Sequence, residues 1–444
     1  MSRDPMSDAR PGPRAGAFVL LLCTAVVAGR PALAATPIPR IIAVHVLDDV
    51  ALPLPADARA ASHALGFRMG GLSDLVVIAG ADGHEELWCV TDRGPNGMVP
   101  KPGSDPAAPD MLRTLPVPEF VPLLVRLELP SSTSEDAPGV LRIVETRPIV
   151  TAAGKATSGR PAVGPPRGKP MVDPATARTL PIDPDGIDSE GLAPAPGGGF
   201  WVAEEYAPSL LLLDAHGRVV RRLVPSGVAI EECGCDVAAT LPERCARRQD
   251  NRGFEALAAS PDGALLFAML QSPTLPAEGD TPEERIRVPL TVLDADSGSV
   301  HAVFEYRLGD PGQAAEDVAA EDGKISCMAA SAGDRLLVLE QSTIHSRIYE
   351  ITVPSTGSGD LPKTLVADLA PLAAGFAADI SPGSAAAPSK LSDLKFEGLA
   401  ILSTGEVALV NDNDFDMDAA GAAPASPPIR RTCLWILDIG IPAP

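Results

Sequence analysis

A short strand–turn–strand phrase recurs along this chain at a nearly constant spacing, and it constrains the fold more than any other feature. Its fullest form is residues 188–206, DSEGLAPAPGGGFWVAEEY. Two apolar runs, residues 191–195 and 200–203, flank a Pro-Gly-Gly-Gly turn, and carboxylates stand at both open ends. The glycines supply the positive φ that a tight hairpin turn requires. A hairpin brings its outer ends together, so Glu190 and the pair Glu204/Glu205 are expected at one rim. The phrase returns at residues 254–258 with 264–270, at 326–329 with 335–339, and at 396–400 with 406–410. An earlier copy joins residues 72–75 to 87–90. Glu190, Glu255, Ser326 and Glu397 hold equivalent places, spaced 65, 71 and 71 residues apart. A period that long marks a repeat larger than one hairpin.

More strand fills each period. Residues 209–214 and 218–224, then 287–294 and 300–308, then 346–353 and 364–369 read as further strands around turn residues. Four antiparallel strands per unit describe a blade, and the chain is predicted to be an all-β β-propeller. Five units begin near residues 72, 190, 255, 326 and 397, and the 117 residues between Ser73 and Glu190 leave room for a sixth. The last unit has only three strands of its own, the third being residues 432–439. The early strand 40–48 is expected to complete it, closing the ring and hiding its edges. Pro- and Gly-rich inserts fall near residues 100–118, 151–184, 225–250 and 370–391. The second carries Lys155, Arg160, Arg167, Lys169 and Arg178 and reads as solvated cover or a lid; the last reads as a spacer.

The N-terminus reads as an address. Arg10 and Arg14 precede an apolar run, residues 15–28, and Ala32-Leu33-Ala34 has the small-x-small form of a leader-peptidase site. Cleavage after Ala34 would leave one domain, residues 41–440, in a periplasm or outside the cell, with no further run long enough to span a bilayer. A net charge of −22 argues against nucleic acid or an anionic membrane as partner. Six of the seven cysteines follow the leader. Cys89, Cys327 and Cys433 fall in strands as small hydrophobes. A disulfide from Cys233 or Cys235 to Cys245 is expected in an oxidising compartment.

Several elements together carry a family resemblance. They are Asp92-Arg93-Gly94-Pro95-Asn96-Gly97, Glu190-Gly191-Leu192-Ala193, Glu255-Ala256-Leu257-Ala258, residues 336–340, Phe396-Glu397-Gly398-Leu399-Ala400 and residues 410–415. In this order they resemble the phytase-like domain family called "esterase-like activity of phytase", over roughly residues 41–439. The resemblance implies an exported, metal-assisted hydrolase of phosphate or carboxylate esters.

If the blades close, the strand entries and exits face one end of the central channel. Asp92, Glu190, Glu204, Glu205, Glu255, Glu340, Glu397, Asp412 and Asp414 are then expected to crowd one funnel. So many carboxylates repel one another unless protonated or bound to a cation. Hard oxygen ligands suit Ca²⁺, with Mg²⁺ not excluded. Glu190, Glu255, Glu397, Asp412 and Asp414 are the candidate ligands. Glu190, Glu255, Glu397 and Asp92 are the candidate catalytic residues. Arg93, Asn96, Arg252, Glu205 and Glu340 are candidate contacts for a small anionic substrate, with Arg347 near the same rim. A guanidinium can grip a phosphate or carboxylate with two hydrogen bonds. The protein is expected to be a monomer. No His pair at i, i+4 and no G-x-S-x-G motif is present, so zinc and serine chemistry are not expected. Two other readings stay open: a lactonase-type propeller with one divalent ion, and a non-catalytic propeller whose carboxylates fasten blade to blade.

Overall fold

Runs of Leu, Val, Ala and Phe punctuated by Gly, Pro and Asp turns leave this chain little choice but sheet. The computed structural model describes residues 38–54, 67–80, 84–129, 138–164, 170–383, 387–417 and 430–443, apart from 102, 106, 108, 109, 175 and 177. The expected leader lies outside the described residues. Among them no helix is long and apolar enough to cross a membrane.

Five four-stranded antiparallel blades form the ring. Blade I comprises Leu72–Ala79, Glu85–Thr91, Leu123–Glu128 and Gly139–Pro148. Blade II comprises Ser189–Ala195, Gly199–Glu204, Ser209–Leu213 and Arg218–Pro225. Phe254–Ala259, Leu265–Leu270, Arg287–Asp294 and Val300–Arg307 make blade III. Lys324–Ala330, Arg335–Gln341, Ser346–Thr352 and Lys363–Asp368 make blade IV. Blade V takes Phe396–Ile401, Val407–Asn411 and Cys433–Asp438, and its outer strand is Arg40–Leu47 from the other end of the chain. The first strand of each blade lies beside the first strand of the next, and blade V returns to blade I. These inner strands are buried on both faces, which is why they read as almost unbroken apolar runs.

Among the described residues, the long gap before residue 190 forms no sixth blade. It supplies the outer strands of blade I and a separate small sheet, in which Gly97–Pro100 pairs with Met111–Thr114, then Met171–Asp173 and Arg178–Thr179. The two Pro-rich inserts are thus joined to each other. In that stretch Lys155 pairs with Asp185 at 2.9 Å and Arg160 with Asp183 at 3.0 Å, while Arg167 and Lys169 lie outside the described residues.

Two further expectations are corrected. The 370–391 insert is not a spacer: its helix Ala373–Ile380 seats Phe376 edge-on against Phe396 and Trp435, at 4.9 and 5.0 Å between ring centroids. No disulfide reaches Cys245. That thiol is fully buried in the core between blades II and III, whereas Cys233 and Cys235 are half-buried and lie against each other.

One local irregularity repeats in all five blades. The pairing of the first two strands slips by one residue at the start of the inner strand, between Leu72 and Asp74, Ser189 and Leu192, Phe254 and Ala256, Ile325 and Cys327, and Phe396 and Gly398. These are β-bulges, which re-aim a side chain and often border active sites. The bulged positions include Ser73, Glu190, Glu255, Ser326 and Glu397, the same positions that the sequence repeat aligns.

Candidate functional site

Three of the bulges turn Glu190, Glu255 and Glu397 toward one end of the channel, where a cavity of about 710 Å³ opens. Asp92, Arg93, Asn96, Glu190, Glu205, Arg252, Glu255, Glu397, Asp412 and Asp414 all line it. Apart from Arg252, which precedes the inner strand of blade III, each comes from a bulge or from the residues that follow the second strand of a blade, so the repeat itself assembles most of the site.

Glu340 is the exception. It is fully buried within blade IV, accepting hydrogen bonds from Gly309 N at 2.6 Å, Tyr306 Oη at 3.0 Å and Lys363 Nζ at 2.7 Å. Glu204 behaves alike. It gathers Ala207 N at 2.9 Å, Ser209 Oγ at 3.0 Å and Arg222 Nη2 at 3.1 Å. Both residues pair directly across from the residue before the bulge, Ile325 and Ser189. A step of one residue along a strand moves a side chain to the opposite face, and the funnel-facing place is the next residue, as at Glu205 and Asp92. Arg347 is also turned away, bound to Asp310 at 2.7 Å and Asp368 at 3.2 Å.

Sequence reading missed several participants. Asp188, Glu190 and Glu205 each place a carboxylate oxygen within 4.8 Å of the others. Asp188 and Glu205 flank the Arg93 guanidinium, which contacts Asp188 directly and lies 3.1 Å from Glu205. Arg93 is only 3 % exposed and stacks over the Tyr206 ring at 5.3 Å. Burial works against its charge, but Asp188, Glu205, Glu190 and Asp92 outweigh that and hold it protonated. Arg113, delivered by the insert sheet, approaches Asn96 Oδ1 at 3.4 Å and faces the cavity. Across the cavity Lys324 stands 3.6 Å from Glu397, and Lys395 binds Asp412 at 2.7 Å and also Asp414, which Arg430 grips at 2.8 Å. At the rim, Arg252 grips Asp322 with two nitrogens, at 2.8 and 2.9 Å.

A signal for these residues existed. Asp188, Lys324 and Lys395 each stand two residues before a bulge, and the two lysines are 71 residues apart. At the same place in blade III stands Gly253, because a Cβ there would come within 2.0 Å of the Glu205 carbonyl oxygen.

Among the described residues, ten carboxyl and six cationic side chains line the cavity, so acidic groups outnumber basic ones. Burial raises the Glu190 and Glu255 carboxyls well above the ordinary range, and neighbouring carboxylates raise them further. Burial, then Asp188, pushes Glu205 up to about 8. Asp92 is raised by burial and by Asp412. Glu205 Oε1, Glu255 Oε2 and Glu397 Oε2 are buried without a hydrogen-bond partner among the described residues. Gln271 donates to the other Glu255 oxygen at 2.6 Å. Among the described residues no backbone N–H bonds to Glu190, Glu255 or Glu397. That fastening task falls to Asp74, beneath the cavity, which binds Leu75 N and Leu192 N, each at 2.7 Å, together with the backbone of Leu399. One carboxylate therefore ties blades I, II and V.

Three carboxylates converging with unpartnered oxygens, in a pocket short of positive charge, have the donor set of a hard-cation site. Asp188, Glu190 and Glu205 form the tightest such group, with Arg93 against Asp188 and Glu205, while Lys395 and Arg430 engage Asp412 and Asp414.

Comparison with known proteins gives one family and otherwise distant likenesses. The family model described as "Phytase-like: Esterase-like activity of phytase" matches residues 68–415. An uncharacterized secreted protein of Arthroderma benhamiae is 30% identical over 124 residues, covering 25% of this chain and 24% of that protein, so the match spans about a quarter of the relative's length. A luciferin-regenerating enzyme structure shares 11% identity, covering 84% of this chain and 94% of its own, with a TM-score of 0.33. A Bacteroides caccae protein structure shares 11% identity, covering 54% and 59%, with a TM-score of 0.27. The propeller assignment stands on the strand pairing and not on these two.

Proposed function

The chain belongs to the phytase-like family, and we propose that it is an exported, monomeric hydrolase of small anionic esters whose cavity works with one divalent cation. The observation that carries this reading is the excess of buried, unpartnered carboxylate oxygens beside cationic side chains in one cavity. An anionic ester could not enter such a field without a compensating positive charge.

Asp188, Glu190 and Glu205 would hold the ion, Ca²⁺ or Mg²⁺. Bound there, a divalent cation supplies Lewis-acid polarisation of an ester oxygen and a more acidic water. The chain's own groups do the rest. Arg93 positions Asp188 and Glu205 by lying between them. Arg113 reaches the cavity from the insert sheet and offers a fork-shaped donor to a phosphate or carboxylate, and Arg252, held by Asp322 at the rim, would do so on exchanging that partner for the substrate. Burial, Glu205 and Glu397 raise the Glu255 carboxyl and favour its neutral form, and a neutral carboxylic acid in such a place can protonate a leaving alkoxide. The name of the Arthroderma relative supports export.

The test is hydrolysis of p-nitrophenyl phosphate, p-nitrophenyl acetate and a sugar lactone by the mature protein, first in excess chelator and then with Ca²⁺ or Mg²⁺ restored. Turnover that vanishes on chelation and returns with Ca²⁺ is expected. Undiminished turnover in chelator refutes the cation. Lactone turnover without ester turnover favours the lactonase-type reading, and a folded protein that turns over nothing with any ion favours the non-catalytic one.

A further inference from the structure

The described chain has six cysteines without a disulfide, and they divide sharply. Cys89, Cys245, Cys327 and Cys433 are fully buried among apolar side chains. Cys233 and Cys235 are half-exposed, in a loop on the flank of blade II, with their sulfurs 2.8 Å apart. We propose that Cys233 and Cys235 form a reversible disulfide within their own Cys-Gly-Cys loop, an oxidation site on the flank of the propeller.

The surroundings suit that chemistry. The loop lies between Arg218–Pro225 and the strand Asp236–Leu241, which pair in parallel, so the chain is anchored on its C-terminal side. Gly234 N donates to Asp185 Oδ1 at 2.7 Å, and a Cβ at Gly234 would press on Thr151 at 3.0 Å. The small cleft beside the loop is lined by Thr151, Thr157, Asp185 and Arg222. The loop thus holds both sulfurs on one side, at a distance that thiol–disulfide exchange can close with little movement. The two thiols are also unequal. A hydrogen bond from Cys235 brings Cys233 down to about 7, aided by the Arg222 charge, while Cys235 is raised by the same contact and by burial. An accessible thiolate beside a second thiol is the arrangement that reacts with disulfide oxidants.

The oxidant is a disulfide such as oxidised glutathione. The Cys233 thiolate attacks one of its sulfurs, forming a mixed disulfide and releasing one glutathione thiolate, which takes up a proton. Cys235 loses its proton, its sulfur attacks Cys233 Sγ, and the second glutathione leaves as thiol. Two protein thiols are oxidised and one external disulfide is reduced to two thiols.

The test uses the folded mature protein, incubated with oxidised or reduced glutathione, alkylated and digested with trypsin. Cleavage after Arg222 and Arg244 releases residues 223–244, which contain both cysteines and no other. Oxidised glutathione should leave that peptide unalkylated and about 2 Da lighter by loss of two hydrogens, and reductant should restore two alkylations. The Cys235→Ser protein should instead keep a glutathione adduct on Cys233, and Cys245→Ser should behave like the parent protein. Two alkylated cysteines after oxidation, a cross-link to Cys245, or an adduct persisting on the unsubstituted protein would overturn the proposal. Protection that a chelator rather than a reductant removes would also overturn it, assigning the pair to a soft metal ion.

Discussion

Replacing Asp74 by Ala separates the carboxylates that fasten the ring from those that furnish its cavity. Asp74 accepts from the backbone N–H groups of Leu75, Leu192 and Leu399, in three different blades, and is fully buried. Ala would leave three buried donors unsatisfied. At about 1–3 kcal/mol for each donor the loss is roughly 3–6 kcal/mol, allowing for partial relaxation. For a chain of this length the unfolding entropy is on the order of 0.8 kcal/mol per kelvin, so the melting midpoint should fall by ~4–7 °C. Asp74→Asn keeps an acceptor oxygen but turns an NH₂ toward a donor, and should fall between. Glu255→Gln is the contrast. Its carboxamide oxygen can still accept from Gln271, and a neutral amide avoids the penalty that burial, Glu205 and Glu397 place on an ionised group there. Its midpoint should hold or rise while ester hydrolysis falls by ~100-fold or more, the usual weight of a general acid. Calorimetry or circular dichroism on the three variants, beside hydrolysis rates, decides the matter. A Glu255→Gln protein as destabilised as Asp74→Ala, or an Asp74→Ala midpoint within about 1 °C of the parent, would refute the division of labour.

Two pH effects of opposite sign follow from other buried carboxyls. Glu340 is pushed up by burial but held down to about 2 by His345 and Lys363, below its ordinary 4.5. Its contribution is complete above pH 4.5 and disappears as the pH falls to 2, on the order of 3 kcal/mol. Glu340→Gln should therefore flatten the acid limb of the melting profile. Glu205 is raised to about 8, so the folded protein keeps a proton that the unfolded chain sheds above about 4.5. Stability should fall as the pH rises from 4.5 to 8 without added metal, and Glu205→Gln should lessen that slope, the raised Glu190, Glu255 and Asp92 supplying the rest; a parallel profile for parent and variant refutes the assignment.

The blades were legible because each inner strand repeats the same phrase in the same register, and the ring closure because blade V lacked a strand that residues 40–48 could supply. Positions on the funnel were harder. Glu190, Glu255 and Glu397 could be placed by the period alone, yet Lys324 and Lys395 share that period two residues earlier and went unread. Their charge alone does not distinguish a solvated turn from a buried ion pair. Glu340 failed by a single residue: nothing in Leu-Glu-Gln tells which of the two polar residues ends inside the sheet. Asp74 was invisible for a different reason. Two of the groups it binds, in Leu192 and Leu399, lie far along the chain, so only the closed ring brings them together. The disulfide expectation assumed that three neighbouring cysteines share one loop, but the 3₁₀ turn Glu243–Arg247 turns Cys245 into the core.

The shared outer edge of blades I and V has a consequence for how the molecule is made. Arg40–Leu47 pairs antiparallel with Cys433–Asp438 and, on its other side, parallel with residues 139–141 of blade I. The strand that completes the last blade is therefore synthesised nearly 400 residues before its partner Cys433–Asp438, and it must wait for it. Blades II, III and IV are local in sequence and can form as the polypeptide emerges. The latch cannot, since it spans nearly 400 residues, and contacts that distant in sequence form slowly. Once made, it must break before the ring can open from its ends.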